Sequence, residues 1–307
     1  MARTVAAAFN SLLSDLKLTP RQRSLAQGRI RHLLAFFARY EVSRTPCAIG
    51  SYGRGTVIRR ERDVDVMVVL AAKPYVRTYQ RDSRQFLYWL RDALNNEYSN
   101  TTVSTRQVAL CMDLGEGLGV DLIPVFDAVE ADNLSLLTRR PFLKPGEMGF
   151  YMPNGRGDWQ RTNPPFHDAL ILQSDQRLGG NLKPLVRLMK LWNENEYRRL
   201  DSFHLEMMVE QVWRKAKQMP PLPIALAQTL DKVADLADGH FHDPWSKGDW
   251  LDRYLDADLE RRRKAVNALR DDATKAQAAL AFEANGNSGA AFERWSVVFG
   301  HDFPAFG

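Results

Sequence analysis

The stretch Ile49–Leu70 reads I-G-S-Y-G-R-G-T-V-I-R-R-E-R-D-V-D-V-M-V-V-L, and it decides the fold. It opens with a small-residue turn at Gly50 and Ser51 and closes on an apolar run that predicts a buried strand. Side chains two residues apart on a strand share a face, so Asp63 and Asp65 project together while the valines beside them face the other way.

The carboxylate pair and the turn together indicate a chemistry. Two carboxylates on one face repel each other unless a cation lies between them. Hard divalent cations, Mg²⁺ above all, take oxygen ligands of this kind. The turn offers backbone N–H groups and the Ser51 hydroxyl to phosphate oxygens. A phosphate cradle beside a metal pair predicts phosphoryl or nucleotidyl transfer.

A third acid, Asp121, lies within the nearly continuous apolar run 119–126, which predicts a central strand. An acid in such a run is expensive to bury without a cation. Asp113 and Glu116 compete for the role of third acid. Both lie among glycines in a predicted turn, where exposure to water explains their charges. Asp121 is therefore the preferred third ligand.

The order of these features resembles the polymerase β superfamily of nucleotidyltransferases: G-S, then D-x-D on the next strand, then a third acid on a later strand. The sequence of residues 50–65 is more similar to one branch of this superfamily, the bacterial cGAS/DncV-like nucleotidyltransferases (CD-NTases). These enzymes make cyclic oligonucleotide signals in anti-phage defence. The same resemblance continues at 157–164, at L-M-K-L-W-N (188–193), at D-S-F-H-L-E (201–206) and at W-S-V-V-F-G-H-D-F-P (295–304).

The resemblance implies an α+β, bilobal fold. A polymerase β-like nucleotidyltransferase core with a mixed sheet and N-terminal helices is expected in residues 1–160. A helical nucleotide-binding lobe similar to that of oligoadenylate synthases is expected in 161–307. The implied reaction is template-independent synthesis of a cyclic di- or oligonucleotide from NTPs, with release of pyrophosphate. The nucleotides, ring size, linkage (3′–5′ or 2′–5′) and trigger stay open.

Two other functions stay open beside this one. A related nucleotidyltransferase could modify RNA ends or a partner protein. A nucleotide sensor with a degenerate site would need no catalysis, but the intact acids at 63, 65 and 121 argue against degeneracy. By resemblance, a protein that senses the cyclic product is the expected partner.

The resemblance also assigns roles around the acids. Asp63, Asp65 and Asp121 are implied ligands of two Mg²⁺ ions, for which Mn²⁺ is a possible substitute. Asp121 would also help to accept the proton of the attacking hydroxyl. Gly50 and Ser51 would hold the β- and γ-phosphates. The alternative interpretation is that these two residues form an ordinary tight turn.

Later residues have competing interpretations. On sequence alone, exposure to solvent explains Lys190 in its amphipathic helix as well as a functional role does. The resemblance implies that Lys190 and Ser202 clamp the triphosphate. Phe203 occupies the position where relatives stack an aromatic on the base, or it is a core aromatic. Asn163, with Thr162, lies near where relatives read the acceptor base, or it caps the following helix.

Bulk properties limit the alternatives. The chain has 307 residues, which suits one bilobal enzyme or two domains. Cys47 and Cys111 are too few for a structural zinc site or a disulfide framework, and both are expected to be buried in strands. No segment is long and apolar enough to span a membrane. We therefore expect a cytoplasmic monomer without a membrane partner.

The net charge of +5 is a modest basic bias that suits NTP substrates and does not require nucleic acid. Arginines such as Arg59 or Arg62 are the alternative to metal as partners of the strand acids. The run E-R-R-R-K at Glu260–Lys264 lies on a predicted helix, where a solvated face is favoured over a nucleic-acid patch. His204 is interpreted as a packing histidine.

Hydrophobic periodicity and breakers predict the remaining elements. Helices are expected at 5–18, 21–40, 79–96, 167–178, 182–193, 203–218, 223–236 and 256–283. Strands are expected at 46–49, 64–70, 101–110 and 119–126. Residues 140–165, rich in Pro, Gly and Asn, are expected to form a crossing and partial lid between the lobes.

Overall fold

The structure is a computed structural model that describes residues 3–61, 63–115, 117–133, 148–246 and 248–307. The chain divides into two compact units. Unit 1 comprises Met1–Lys17, Gly55–Arg60 and Ala169–Gly307, and unit 2 comprises Leu18–Arg54 and Glu61–Asp168. This division differs from the expected 1–160 and 161–307, because the first helix packs into the core of the C-terminal helices.

Unit 2 contains the sheet. Its strands are β1 (Val42–Ala48), β2 (Asp63–Leu70), β3 (Val103–Thr105), β4 (Leu110–Met112), β5 (Gly119–Asp127), β6 (Phe150–Pro153) and β7 (Trp159–Thr162). The order is β1-β2-β5-β4-β3, with β6 pairing to β5 and β7. β2 and β5 run parallel, whereas the other described pairs run antiparallel. The α+β prediction with a mixed sheet is confirmed.

The helices follow the chain in both units. They are α1 (Val5–Leu16), α2 (Pro20–Phe37), α3 (Gly50–Arg54), α4 (Ala72–Tyr79), α5 (Ser83–Glu97), α6 (Ala128–Asn133), α7 (Pro164–Arg177), α8 (Leu182–Asn195), α9 (Ser202–Trp213), α10 (Leu222–Asp238), α11 (Arg253–Asp256), α12 (Leu259–Ala284) and α13 (Ser288–Phe299).

Strand β2 is the centre of unit 2 because both of its faces are buried. Val64, Val66 and Val68 pack into the larger apolar core with helices α2 and α5. Met67 and Val69 pack into a smaller core on the other side. A strand buried on both faces needs a continuous apolar run, and the sequence has such a run immediately after its two acids.

Local signals explain where the first two helices begin. The Thr4 side chain accepts a hydrogen bond from the Ala7 backbone and so caps α1. Thr19 and Gln22 form a capping box at the start of α2, where Pro20 takes the first helical position. The break expected between residues 18 and 21 is confirmed: α1 ends at Leu16 and α2 begins at Pro20.

Two expected elements of unit 2 are wrong. The strand expected at 101–110 is a hairpin, in which β3 and β4 are joined by a turn at 106–109. The crossing expected at 140–165 is, over residues 148–165, mainly the hairpin β6–β7 attached to β5. Residues 140–147 lie outside the described residues. The turn signals belonged to the connection 154–158, where Gly155 and Gly157 have positive φ.

The cysteines illustrate what strand position decides. Both lie in strands as predicted, but Cys47 is exposed rather than buried, and Cys111 is half-buried. β1 is at the edge of the sheet, and four of its seven residues are exposed. None of the helices formed by the described residues has both the length and the apolarity needed to cross a membrane.

The cationic run on α12 is not a uniform solvated face. Arg262 is buried and pairs with Asp252 and Asp256. Arg263 and Lys264 are exposed and pair with Glu260, one turn earlier. The expectation of solvated cations is therefore correct for Arg263 and Lys264 and wrong for Arg262, which Asp252 and Asp256, just before α12, neutralise.

Candidate active site

Strands β2 and β5 place two predicted metal ligands side by side. In their parallel register Asp65 lies opposite Asp121, and Asp63 lies opposite Gly119. Neighbouring strands are about 4.8 Å apart, so the two facing carboxylates can share a cation. Asp63 is exposed and Asp65 is half-buried. The structure therefore brings all three acids to one end of adjacent strands.

Gly50 lies directly against this carboxylate group. Its φ is +64°, and a Cβ built on it would lie 2.0 Å from the Asp65 Oδ2 atom. The Ile49 N–H also donates to the Asp65 carbonyl at 2.9 Å. Gly50 and Ser51 are the first residues of the short helix α3. Only glycine fits this position, which places the predicted phosphate-binding turn in contact with a predicted metal ligand.

The Asp65 carboxylate is short of positive charge. Burial, and after it the neighbouring Asp121 carboxylate, raises the pKa of Asp65 from its ordinary 3.8 to about 7. The nearby Arg54 guanidinium opposes this rise in pKa, but it is itself paired with Asp168 at 3.3 Å. A divalent cation would supply the missing charge, so the carboxylate oxygens fit Mg²⁺ or Mn²⁺.

Arg106, in the β3–β4 turn, is a neighbour of the site that no sequence pattern indicated. Its Nη1 atom lies 3.5 Å from the Asp121 Oδ2 atom, and its side chain is 64% exposed. Cys111 on β4 lies opposite Asp121. Burial, followed by a hydrogen bond to Asp121, raises the pKa of the Cys111 thiol to about 12, so it is a neutral neighbour of the site. No spacing rule links residue 106 to 121.

Asp113 was an alternative to Asp121 as third ligand, and Arg59 was an alternative to a metal as partner of the acids. Asp113 lies in an exposed turn and accepts a hydrogen bond from the Gly115 N–H, as its exposure predicted. Glu116 and Arg62 lie outside the described residues. The Arg59 Nε atom donates to the Lys17 carbonyl at 3.2 Å.

One further group of potential metal ligands is found among the described residues, at His240, Asp252 and Asp256. The guanidinium of Arg262 already binds both carboxylates, at 2.8 and 2.6 Å. A cation thus occupies this position as part of the protein. The group is a structural ion-pair network of unit 1, and it does not compete with the strand acids as a metal centre.

Lys190 lies in unit 1 on α8 and is buried, with 2% exposure. Its ammonium is 3.2 Å from the carboxylate of Glu206, which also accepts a 2.7 Å hydrogen bond from the Thr56 hydroxyl. The Lys190 Nζ atom lies 3.5 Å from the Thr56 carbonyl oxygen. The solvent-exposed interpretation of Lys190 is wrong. Its assignment to a triphosphate clamp stays a prediction.

Ser202 and Phe203 begin α9 in the same unit. Asp201 caps this helix by accepting a hydrogen bond from the Phe203 N–H at 2.9 Å. Ser202 is half-buried, and Phe203 packs partly against the core of unit 1. His204 is a buried packing histidine, and burial lowers its pKa to about 4. Ser202 and Phe203, the predicted nucleotide contacts, therefore lie at the start of α9 between the capping residue Asp201 and the buried His204.

Asn163 is buried in unit 2, where it follows the β6–β7 hairpin. Its Oδ1 accepts from the Phe166 N–H at 3.1 Å, and its Nδ2 donates to the Met148 carbonyl at 2.7 Å. It therefore caps α7, which was one of its two interpretations. Reading of the acceptor base by Asn163 stays a prediction.

Comparison with known proteins finds a family model and several relatives that this chain resembles. Residues 3–135 match the model of the Second Messenger Oligonucleotide or Dinucleotide Synthetase domain. The structure superposes on E. coli CdnC in its complex with HORMA-deltaN, with a TM-score of 0.75, 17% identity, and coverage of 97% of this chain and 98% of CdnC.

The chain is similar to the cGAS/DncV-like nucleotidyltransferases, the CD-NTases. A probable cyclic nucleotide synthase of Bacillus cereus is 21% identical over 284 residues, covering 83% of this chain and 81% of the relative. A cyclic AMP-AMP-AMP synthase of Acinetobacter is 25% identical over 218 residues, covering 66% of this chain and 56% of the relative.

No sequence pattern indicated two of the contacts described above. Glu206 neutralises Lys190, although the two lie on different helices. Arg54 approaches Asp65 while it is bound to Asp168 on α7. Both depend on contacts between segments more than ten residues apart, so local spacing does not reveal them. Each could be found only once the topology had been established.

Proposed function

We propose that this protein is a CD-NTase that joins NTPs, without a template, into a cyclic di- or oligonucleotide signal and releases pyrophosphate. The observation that carries the proposal is the strand register, which sets Asp65 opposite Asp121 and beside Gly50. Ligands for divalent metal and a phosphate-binding turn then lie within one unit of the fold. Anti-phage signalling is the role that the family supports.

The reaction forms one bond and breaks another at the α-phosphorus. A ribose hydroxyl oxygen attacks the α-phosphorus of an NTP, the bond from that phosphorus to the bridging oxygen breaks, and pyrophosphate leaves. Asp121 accepts the hydroxyl proton. Divalent ions, when bound, lower the pKa of the hydroxyl and offset the charge of the departing pyrophosphate. The same step within the linear product closes the ring: its terminal ribose hydroxyl attacks the α-phosphorus of its own 5′-triphosphate, and a further pyrophosphate leaves.

This chain's residues contribute chiefly by positioning and charge. Asp63, Asp65 and Asp121 would hold two Mg²⁺ ions, with Mn²⁺ as an alternative. Gly50 and Ser51 would bind phosphate oxygens, because no side chain at position 50 obstructs the backbone. The attacking oxygen and the α-phosphorus are thereby aligned, which accounts for a large part of the acceleration in phosphoryl transfer.

Unit 1 would hold the donor nucleotide. We assign Ser202 and Lys190 to its triphosphate and Phe203 to stacking on its base, which is worth about 1–3 kcal/mol and tolerates any base. The Acinetobacter relative is named for a product built from AMP, and E. coli CdnC has a structure with ATP. ATP is therefore the first nucleotide to test.

Protein partners also follow from the family. The E. coli CdnC structure is a complex with HORMA-deltaN. We assign to this chain a protein partner and an effector that senses the product, and we expect the purified chain to be a monomer. Size-exclusion chromatography with light scattering tests the last point.

The deciding experiment incubates purified protein with labelled NTPs and Mg²⁺ and without acceptor. A phosphatase-resistant product, identified by mass spectrometry, supports the proposal and gives the bases and ring size. Label that appears only after protein or RNA is added would instead indicate a transferase that modifies that acceptor. The variant Asp121→Asn is the negative control.

A further inference from the structure

The connection between α8 and α9, residues 196–201, is a strained loop that leads directly to Ser202 and Phe203. Tyr197 and Arg198 have φ of 61° and 52°, and neither is glycine. A left-handed conformation costs a residue with a side chain about 1–3 kcal/mol and persists only where the surroundings impose it. Among the described residues these are the positive-φ residues other than glycine.

Hydrogen bonds to Asn193, on α8, impose part of this loop conformation. The Arg198 N–H donates to the Asn193 carbonyl at 2.7 Å. The Asn193 side chain then exchanges two hydrogen bonds with the Leu200 backbone, at 2.8 and 3.0 Å. These bonds hold the middle of the loop, but they do not reach its end at Asp201.

The end of the loop is held by two side chains from the C-terminal helices, Arg261 and Tyr254. Arg261 donates to the carbonyls of Arg199 and Arg198 at 2.6 and 2.9 Å. The Tyr254 hydroxyl accepts from the Asp201 N–H at 2.8 Å. The Arg261 guanidinium lies 4.9 Å from the centre of the Tyr254 ring, so the two side chains also support each other.

The Tyr254 hydroxyl reaches the first turn of α9 as well. It lies 3.0 Å from the Nδ1 atom of His204. Since the hydroxyl accepts from the Asp201 N–H, its own proton is available to His204 Nδ1. One hydroxyl thus fixes the residue before Ser202 and the residue after Phe203.

Arg261 is distinct from its neighbours in the cationic run. Arg263 and Lys264 pair with Glu260 on the same helix, and Arg262 pairs with the acids at 252 and 256. Arg261 instead directs its donors to the carbonyls of a distant loop. These hydrogen bonds give Arg261 a structural role that a solvated surface arginine does not have.

We propose that Arg261 and Tyr254 are positioning residues that hold Ser202 and Phe203 in place for the nucleotide. The inference rests on the proposed function, because that function assigns the triphosphate and base to this helix start. The strained loop would relax without these two side chains, and the two contacts would shift. Binding of NTP then weakens, while the acids that carry the chemistry are untouched.

The test compares Tyr254→Phe and Arg261→Met with Arg263→Met as the matched control. Tyr254→Phe removes one oxygen and keeps the ring, so it is the variant designed to stay folded. Four quantities are measured: the Kd of α,β-methylene ATP, the KM for ATP, the kcat for ATP, and hydrogen exchange of the peptide containing the 196–201 loop. Melting temperatures report on folding.

We expect Kd and KM to rise by about threefold to tenfold in both variants, as the loss of one or two hydrogen bonds predicts. The value of kcat should change less than about twofold. Exchange in the loop should accelerate, and Arg263→Met should match the wild type. Arg261→Lys, which keeps one donor group, should recover part of the affinity.

Unchanged loop exchange, or faster exchange with unchanged Kd, would overturn the positioning role. An equal effect in Arg263→Met would do the same. Wild-type protein that binds the analogue but forms no cyclic product contradicts the proposed reaction, while the ratio of Kd values still decides the positioning role. Wild-type protein that binds no nucleotide overturns both.

Discussion

The two groups of predicted nucleotide-binding residues differ in how the fold treats their charges. In unit 2 the Asp65 carboxylate is left short of positive charge beside Asp121, and its pKa is raised to about 7. In unit 1 Lys190 is buried against Glu206. A buried charge that the protein does not compensate indicates a ligand of opposite sign, whereas a compensated pair can be explained by the fold alone.

This difference shows that residue roles assigned from a family resemblance do not all receive the same support from the structure. Asp65 has a physical requirement that the protein itself does not meet, so its assignment has support independent of the family. The assignment of Lys190 to the triphosphate rests on the resemblance, and its burial adds a structural role. Separate variants can therefore test the two groups.

The largest effect is expected for Asp63→Asn with Asp65→Asn. Product should disappear, because the ligands that bring the attacking and leaving oxygens together are lost. Mass spectrometry of the product and a circular dichroism spectrum check the two parts of this statement. Chelation by EDTA should have the same effect on the wild type. Synthesis that persists in a folded double variant would remove the acids from the mechanism.

The next effect concerns the buried pair of unit 1. Lys190→Met should lower the free energy of unfolding by about 3–5 kcal/mol, because it leaves the Glu206 carboxylate buried without its partner. Glu206→Gln added to that variant should recover part of the loss. Urea unfolding measures both. Unchanged stability of Lys190→Met would show that the pair does not hold unit 1 together.

Binding by Lys190 is tested in the folded double variant Lys190→Met with Glu206→Gln. If Lys190 also contacts the triphosphate, KM for NTP should rise by at least about tenfold, as loss of a charge-assisted contact predicts. Ser202→Ala, which removes a neutral hydrogen bond, should raise KM less. An unchanged KM in both would leave unit 1 without the clamp that the resemblance implies.

A smaller effect follows from the pKa of Asp65. Its pKa in the folded protein is about 7, above the ordinary value of 3.8, so the folded state binds this proton more tightly than the unfolded state does. This contribution to stability is fully present below about pH 4 and is lost as the pH rises towards 7. The melting temperature of metal-free protein should therefore fall between about pH 4 and pH 7.

Two controls separate this effect from general titration. Asp65→Asn should remove this part of the pH dependence, while Asp113→Asn, in an exposed turn, should leave it in place. Saturating Mg²⁺ should reduce it, since the ion replaces the proton as the partner of the carboxylate. A pH dependence identical in all of these samples would contradict the charge imbalance at β2 and β5.

The smallest effect is expected from nucleic acid. Duplex DNA or RNA should change the rate of synthesis by less than about tenfold, equivalent to roughly 1.4 kcal/mol of barrier. The cationic run on α12 is already neutralised at Arg262, Arg263 and Lys264 by acids of unit 1. Nuclease-treated protein that is silent until duplex is added would show that another basic surface binds it.

Local features of the fold could be predicted because they depend on neighbours along the chain. The D-x-D spacing placed two acids on one face of a strand, and the apolar run after them predicted burial on both faces. The second helix was expected from residue 21, and α2 begins one residue earlier, at Pro20. The hairpin β6–β7 was missed because its turn residues were interpreted as a crossing, although turn chemistry is the same in both.

The sequence by itself determined which residues could do chemistry: the three acids, the glycine of the turn, and the order in which they occur. Only the tertiary structure decided which charges stay uncompensated. Asp65 meets Asp121, Lys190 meets Glu206, and Arg261 meets the carbonyls of a distant loop. The physical reason is that propensity and side-chain direction are set within a few residues, whereas burial and charge pairing depend on segments that folding brings together.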